Sequence, residues 1–176
     1  MPESTVVPAG SARSGSLGRW VLLAYRLPRE PSNPRVGVWR KLERLGVSRL
    51  GDGLVALPAD ARTREQLDWL AEEILEAGGT STVWLATPGS AVQEQAIAEA
   101  MRAARAAEYR AVIEQARDAA GTGAAERVVR RLRGELRRIA RRDFFPPAER
   151  EVARAAVDAL AADAAANAPA VAKEGS

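Results

Sequence analysis

Trp20-Val-Leu-Leu-Ala-Tyr25 is an unbroken apolar run that Leu27-Pro28 brings to a stop. It is too short for a stable helix and reads as a strand buried on both faces, near the middle of a sheet. After it, Asn33-Pro34 supplies an amide cap and a proline at the first helical position. Val38, Leu42 and Leu45 then fall on one helical stripe, which Gly46 ends. Val47–Leu50 and Leu54–Leu57 flank Gly51-Asp52-Gly53, where glycine supplies the positive φ of a tight hairpin. Thr63 and Gln66 have capping-box spacing for a second helix, with Leu67, Leu70, Ile74 and Ala77 inward and Gly78-Gly79 closing it. Thr82–Ala86 is a further strand.

The order strand, helix, strand, strand, helix, strand over residues 19–87 predicts an α+β fold of the ferredoxin-like βαββαβ kind, with both helices on one face of an antiparallel sheet. The other face needs a cover, either from the helices that follow or from a second copy in a homodimer. Residues 91–165 form a helical extension of three helices: Gln93–Ala119, Ala124–Arg142 and a third that opens at Pro146-Pro147. Val129, Leu132, Leu136 and Ile139 are the inward line of the middle helix, and Val152, Ala156 and Leu160 that of the last. Small polar residues make 1–18 a flexible arm, and 166–176 read as a disordered tail. The N-terminus lacks the basic start and apolar stretch of a secretory leader, and no apolar run approaches the roughly 18 residues that span a bilayer. The expected address is the cytoplasm, with no membrane partner.

Among the 176 residues there is no Cys and no His. Disulfides, Cys/His metal clusters, thiolate nucleophiles and imidazole bases are thereby excluded. A metal would have to rest on carboxylates. Asp52, Asp60, Asp68 and Asp143 read as turn, cap or exposed positions, with no pair at a spacing that calls for acid–base work. No metal, cofactor or catalysis is expected. Gly51-x-Gly53-x-x-Ala56 sits between strands with no helix opening after it, so it is not a dinucleotide fingerprint.

The net charge of +3 is unevenly spread. Residues 1–50 carry nine basic and three acidic side chains, and residues 51–100 carry two basic and nine acidic. Residues 127–142 hold eight arginines against Glu135 alone. At 100° per residue from Leu132, the side chains of Arg127, Arg130, Arg131, Arg133, Arg137, Arg138 and Arg141 fall on the half of the helix away from the core, with Arg142 at its margin. They extend over about 24 Å, long enough to meet several duplex phosphates, which follow one another every 1.7 Å or so along the axis. The competing reading is a solvated face neutralised by Glu72, Glu73 and Glu76. Arg40, Lys41 and Arg44 form a second basic group. Arg29 and Arg35, beside the helix start at Asn33, are candidates for holding an oxyanion. Trp20, Trp39, Trp69 and Trp84 read as core or core-edge residues, and Phe144-Phe145 as an anchor between the last two helices.

Several stretches are also familiar in order: Trp20-Val-Leu-Leu-Ala-Tyr-Arg-Leu-Pro28, Arg35-Val-Gly-Val-Trp-Arg-Lys-Leu-Glu-Arg-Leu-Gly46, Gly53-Leu-Val-Ala-Leu-Pro58, Trp69-Leu-Ala-Glu-Glu-Ile-Leu-Glu-Ala-Gly-Gly79, Ala-Glu-Tyr109 and Arg141-Arg-Asp-Phe-Phe145. Together they resemble the N-terminal region of ChrB chromate-resistance proteins over roughly residues 19–160. The resemblance implies a DNA-binding regulator of a chromate-efflux operon. Longer members continue into a second domain associated with the chromate response, and the resemblance here covers only the first part. An accessory module that binds a separate chromate-responsive protein is the alternative. The strand–helix–hairpin portion also resembles a domain of phenylacetate-pathway repressors and the small dimeric nuclease of CRISPR adaptation. The nuclease pattern places an aspartate near the end of the first strand, where this chain has Tyr25-Arg26-Leu27, which argues against metal-dependent cleavage.

Overall fold

In the computed structural model, which describes residues 18–30 and 33–167, the apolar run becomes β1 (Trp20–Arg26). There follow α1 (Asn33–Leu45), β2 (Ser48–Gly51), β3 (Leu54–Pro58), α2 (Ala61–Glu76), β4 (Thr80–Ala86), α3 (Ala91–Ala119), α4 (Ala125–Ala140) and α5 (Glu149–Ala166). The fold is α+β. The arm expected over 1–18 and the tail expected over 166–176 lie outside the described residues, apart from Gly18, Ala166 and Asn167.

The four strands form one sheet in the order β2-β3-β1-β4, and every neighbouring pair is antiparallel. β1 is central, as its apolar run requires. Val21 lies opposite Leu57 and Leu85, and Leu23 opposite Val55 and Val83, so these side chains share one face. Val38 and Leu42 of α1, with Leu67, Leu70 and Ile74 of α2, bury that face. Each such aliphatic side chain contributes about 1.5–3 kcal/mol by leaving water.

The opposite face carries Trp20, Leu22 and Ala56. The long α3 supplies part of its cover: Ile97 and Met101 from its first turns join this core, along with Phe144 and Phe145 from the link between α4 and α5. A groove of about 380 Å³ stays open between Leu22, Leu50, Ala56, Ala86 and Ile97. Further along, α3 turns Tyr109, Val112 and Ile113 into a second core, shared with Val129, Leu132 and Ile139 of α4 and Val157 and Leu160 of α5. At 29 residues, about 43 Å, α3 belongs to both cores and joins them.

Several expectations are corrected. The capping box of α2 begins at Asp60, whose Oδ1 accepts from the Thr63 N–H at 2.7 Å while its own N–H donates to Thr63 Oγ1 at 2.9 Å. Thr63 is thus the inner partner of the box, because an equally good cap stands three residues earlier, just past β3. Of the four tryptophans only Trp20 is in the core; Trp39, Trp69 and Trp84 are each at least half exposed. Trp39 lies on the flank of α1 and Trp69 on the outer side of α2, about 140° from its buried line, and Arg49 covers the Trp39 ring at 5.9 Å. Phe144 and Phe145 anchor the helices to the sheet unit and not merely to each other: Phe145 stacks on Trp20 at 6.0 Å and Arg62 lies over Phe144. The Asp143 side chain is fully buried, contrary to the exposed or capping position expected for it.

Gly46 closes α1 at φ +71° and lies under the α4–α5 link. A Cβ there would stand 2.8 Å from both Arg105 Nη1 and Arg142 Cβ. Gly46→Ala is expected to cost about 2 kcal/mol or more through the left-handed backbone and the contact with Arg142. Gly37→Ala, on α1 with nothing near its Cβ, is expected to stabilise by about 0.5–1 kcal/mol. Urea midpoints of the two variants measure the contrast.

Candidate nucleic-acid interface

α4 forms because its apolar residues recur at helical spacing, and six of its other residues are arginine. Val129, Leu132 and Ile139 are buried. Arg127, Arg130, Arg131, Arg133, Arg137, Arg138 and the adjoining Arg141 are exposed. Measured from Leu132, six of them (all but Arg133) fall within an arc of about 120° centred near Gly134. Gly134 has no side chain to interrupt that face.

The arginines differ in their partners. Arg138 pairs with Glu135 one turn back, and Arg133 reaches Asp158 of α5 at 3.7 Å. Arg127, Arg130, Arg131, Arg137 and Arg141 make no salt bridge with any described carboxylate. The expected neutralisers Glu72, Glu73 and Glu76 do not reach α4; Glu73 pairs with Lys41. Five guanidinium groups along about 21 Å of helix therefore face solvent without a counter-charge from the described residues.

Arg142 stands apart. It is largely buried, donates to Glu108 Oε2 at 2.6 Å and to the Glu43 carbonyl at 3.1 Å, and so caps the last turn of α1. Glu108 also takes Arg105, the most buried arginine among the described residues, at 2.8 Å. Beside it Tyr109 donates its hydroxyl to Asp143 at 2.9 Å, and Arg150 lies 3.8 Å from the same carboxyl. Burial first, then the hydrogen bond to Asp143, pushes the Tyr109 hydroxyl up to about 12. Arg62, at the first turn of α2, donates to the Arg141 carbonyl at 3.2 Å. Arg141–Phe145 is thus the joint that fixes α4 to the sheet unit.

Through that joint Arg142, which follows the one basic group, reaches the helix that carries the other. Arg142, just past α4, touches the last turn of α1, where Arg44 folds back on the Arg40 carbonyl at 3.3 Å and both side chains are exposed. Lys41 is turned toward α2 by Glu73. Arg29 and Arg35 are exposed, and neither makes a salt bridge or side-chain hydrogen bond with a described residue. No contact brings them together. Sequence reasoning missed Arg62, Arg105, Glu108 and Tyr109 as joint residues. The available signal was the pairing of Ala-Glu-Tyr109 with Arg141-Arg-Asp-Phe-Phe145, two polar-aromatic clusters on separate helical segments.

Among the described residues no three Asp or Glu side chains gather where they could hold a metal ion, and no helix is long and apolar enough to cross a membrane. Fold and site together define an α+β protein with a C-terminal helical unit that presents an arginine face. Residues 35–123 match the family described as Protein ChrB, N-terminal, and the chain belongs to that family. This ties it to chromate-resistance regulation. The matched segment includes Arg40, Lys41 and Arg44 and ends just before α4, so the arginine face lies outside it. No curated protein and no solved structure matches the chain.

Proposed function

We propose that the chain is a cytoplasmic, non-catalytic DNA-binding regulator of chromate resistance, which holds the duplex backbone through α4. The observation that carries this reading is the row of unpaired arginines on one helix face. Guanidinium groups left without carboxylates favour a polyanion, whose condensed counterions are released on contact. Arg40 and Arg44 extend the basic surface beyond the joint, and family membership supplies the chromate-resistance context. Phosphate contacts position a protein without reading sequence, so operator choice must come from elsewhere on the surface or from DNA shape. We further assign the sheet unit to the ferredoxin-like class, which the order β2-β3-β1-β4 supports.

The exposed Trp39 and Trp69 on the α1/α2 layer favour a second reading, an accessory module that docks on a separate chromate-responsive protein. A fluorescence-anisotropy titration against the protein's own promoter and a scrambled duplex, at two salt concentrations and with or without chromate, separates the two. The regulator binds the promoter in preference to the scrambled duplex, and more weakly at high salt. Release by chromate would add sensing to that role. Failure to bind either duplex at low salt removes the regulator and leaves the docking module.

A further inference from the structure

The two edges of the sheet are built differently. β2 is four residues long, shifts register between Arg49 and Gly51, carries a charged side chain and has α3 beside it. All of these keep an edge from pairing with another chain. β4 has none of them. Its seven residues, Thr-Ser-Thr-Val-Trp-Leu-Ala, keep an unbroken register with β1 and include no charge, proline or bulge. Among the described residues its hydrogen-bonded neighbour in the sheet is β1 alone, so no described strand pairs with its outer row of backbone groups.

Apolar side chains gather around this free edge. Trp84 on one sheet face is 58% exposed and Leu85 on the other is 45% exposed. On α2, Glu73 faces α1 through Lys41, so the flank on the β4 side carries Arg64, Asp68 and Leu75, the last 55% exposed.

We propose that β4 is the dimerisation edge of this chain: two copies pair antiparallel through β4 about a twofold axis at Val83, joining two four-stranded sheets into one. A second copy fits this edge on three grounds. Pairing centred on Val83 brings all seven residues into register, with each Trp84 against Thr82 of the other copy and each Leu85 against Ser81. The two α2 helices then run side by side at about 10 Å, two strand spacings, which is a normal helix-packing distance. Arg64 and Asp68, paired at 3.0 Å within one helix, can exchange partners across the axis, so the charged flank is complementary to itself. α4 packs on α3 and α5 and not on β4, so the dimer keeps the arginine faces apart.

The inference does not depend on DNA binding, and its test is read without DNA, so each can fail alone. In sedimentation equilibrium the full chain is expected at twice its 18.8 kDa. The double variant Thr82→Lys/Trp84→Lys, at two exposed positions, is expected at the single mass with unchanged circular dichroism. Because the chain has no cysteine, Val83→Cys provides an independent readout. Directly opposed strand residues lie about 4.5–5.5 Å apart at Cα, within disulfide reach, so mild oxidation should link this variant into a covalent dimer. Val152, which its spacing places on the inward line of α5, is 51% exposed there because the buried line runs through Ala153, Val157 and Leu160, so Val152→Cys should stay unlinked. A monomeric wild-type chain, a lysine variant that keeps the dimer mass, or Val83→Cys that links no better than Val152→Cys would overturn the proposal.

Discussion

Alanine at Arg127, Arg130, Arg131 and Arg137 together is expected to weaken duplex binding by about 100-fold near 0.1 M salt. It is also expected to lower the slope of log K against log salt by about 3–4. Each phosphate contact contributes about 0.9 to that slope, and these four arginines pair with no described carboxylate that they would give up on meeting DNA. A 100-fold loss is about 2.7 kcal/mol, or about 0.7 kcal/mol per arginine, modest for an exposed charge. The loss should be equal on promoter and scrambled duplex, since phosphate contacts carry no sequence information. Stability should hold or rise by a few tenths of a kcal/mol, because alanine is the better helix former and like-charge neighbours are removed. Arg133→Ala is the control within the same helix: its guanidinium is turned toward Asp158 of α5, so the slope should not change. If the quadruple variant and Arg133→Ala leave the slope equally unchanged, α4 is a solvated face and the interface lies elsewhere.

The difference between Arg133, Arg142 and the other arginines marks where sequence reading stopped. Element order, the central place of β1 and the arginine face of α4 follow from period and composition, which are properties of single segments. The wheel of α4 puts seven arginines on the outer half and Arg142 at its margin, and those seven do face solvent. Arg142 does not, because α4 ends at Ala140 and the chain beyond it turns back toward α1. Whether a cation meets solvent or a distant carbonyl depends on packing between segments 99 residues apart, which periodicity cannot report. The tryptophans show the same limit from the other side. An apolar residue at the flank of a helical stripe is compatible with burial or exposure, and only the position of the neighbouring layer decides. The bare edge of β4 was legible as an uncharged strand, but its place at the rim of the sheet came only with the strand order.

Tyr109→Phe is expected to destabilise the chain by about 2–3 kcal/mol at neutral pH, a fall in Tm of roughly 5–10 °C. The hydroxyl is buried and donates to a carboxyl that is itself fully buried, so its loss leaves Asp143 Oδ2 with Arg150, 3.8 Å away, as its remaining close partner. Asp143 sits in the joint between the helical unit and the sheet unit, so loosening it should also weaken the Trp20–Phe145 stack beside it. The alkaline limb makes the assignment specific. Burial and the Asp143 hydrogen bond raise the tyrosine from its ordinary 10 to about 12, while Arg150 and Arg154 pull the other way. A folded-state value above the unfolded one means that the stabilisation is complete below pH 10 and is lost as pH rises toward 12. Two pH units correspond to about 2.7 kcal/mol, so most of the wild-type advantage should disappear across that window. The other tyrosine and the two lysines of the chain are common to both proteins and cancel in the comparison. Chemical denaturation at pH 8, 10 and 11.5 should therefore show wild type and Tyr109→Phe converging as pH rises. No gap at any pH would mean that Tyr109 acts only by filling space, and a gap that stays constant would mean that the proton on its hydroxyl does not hold the joint.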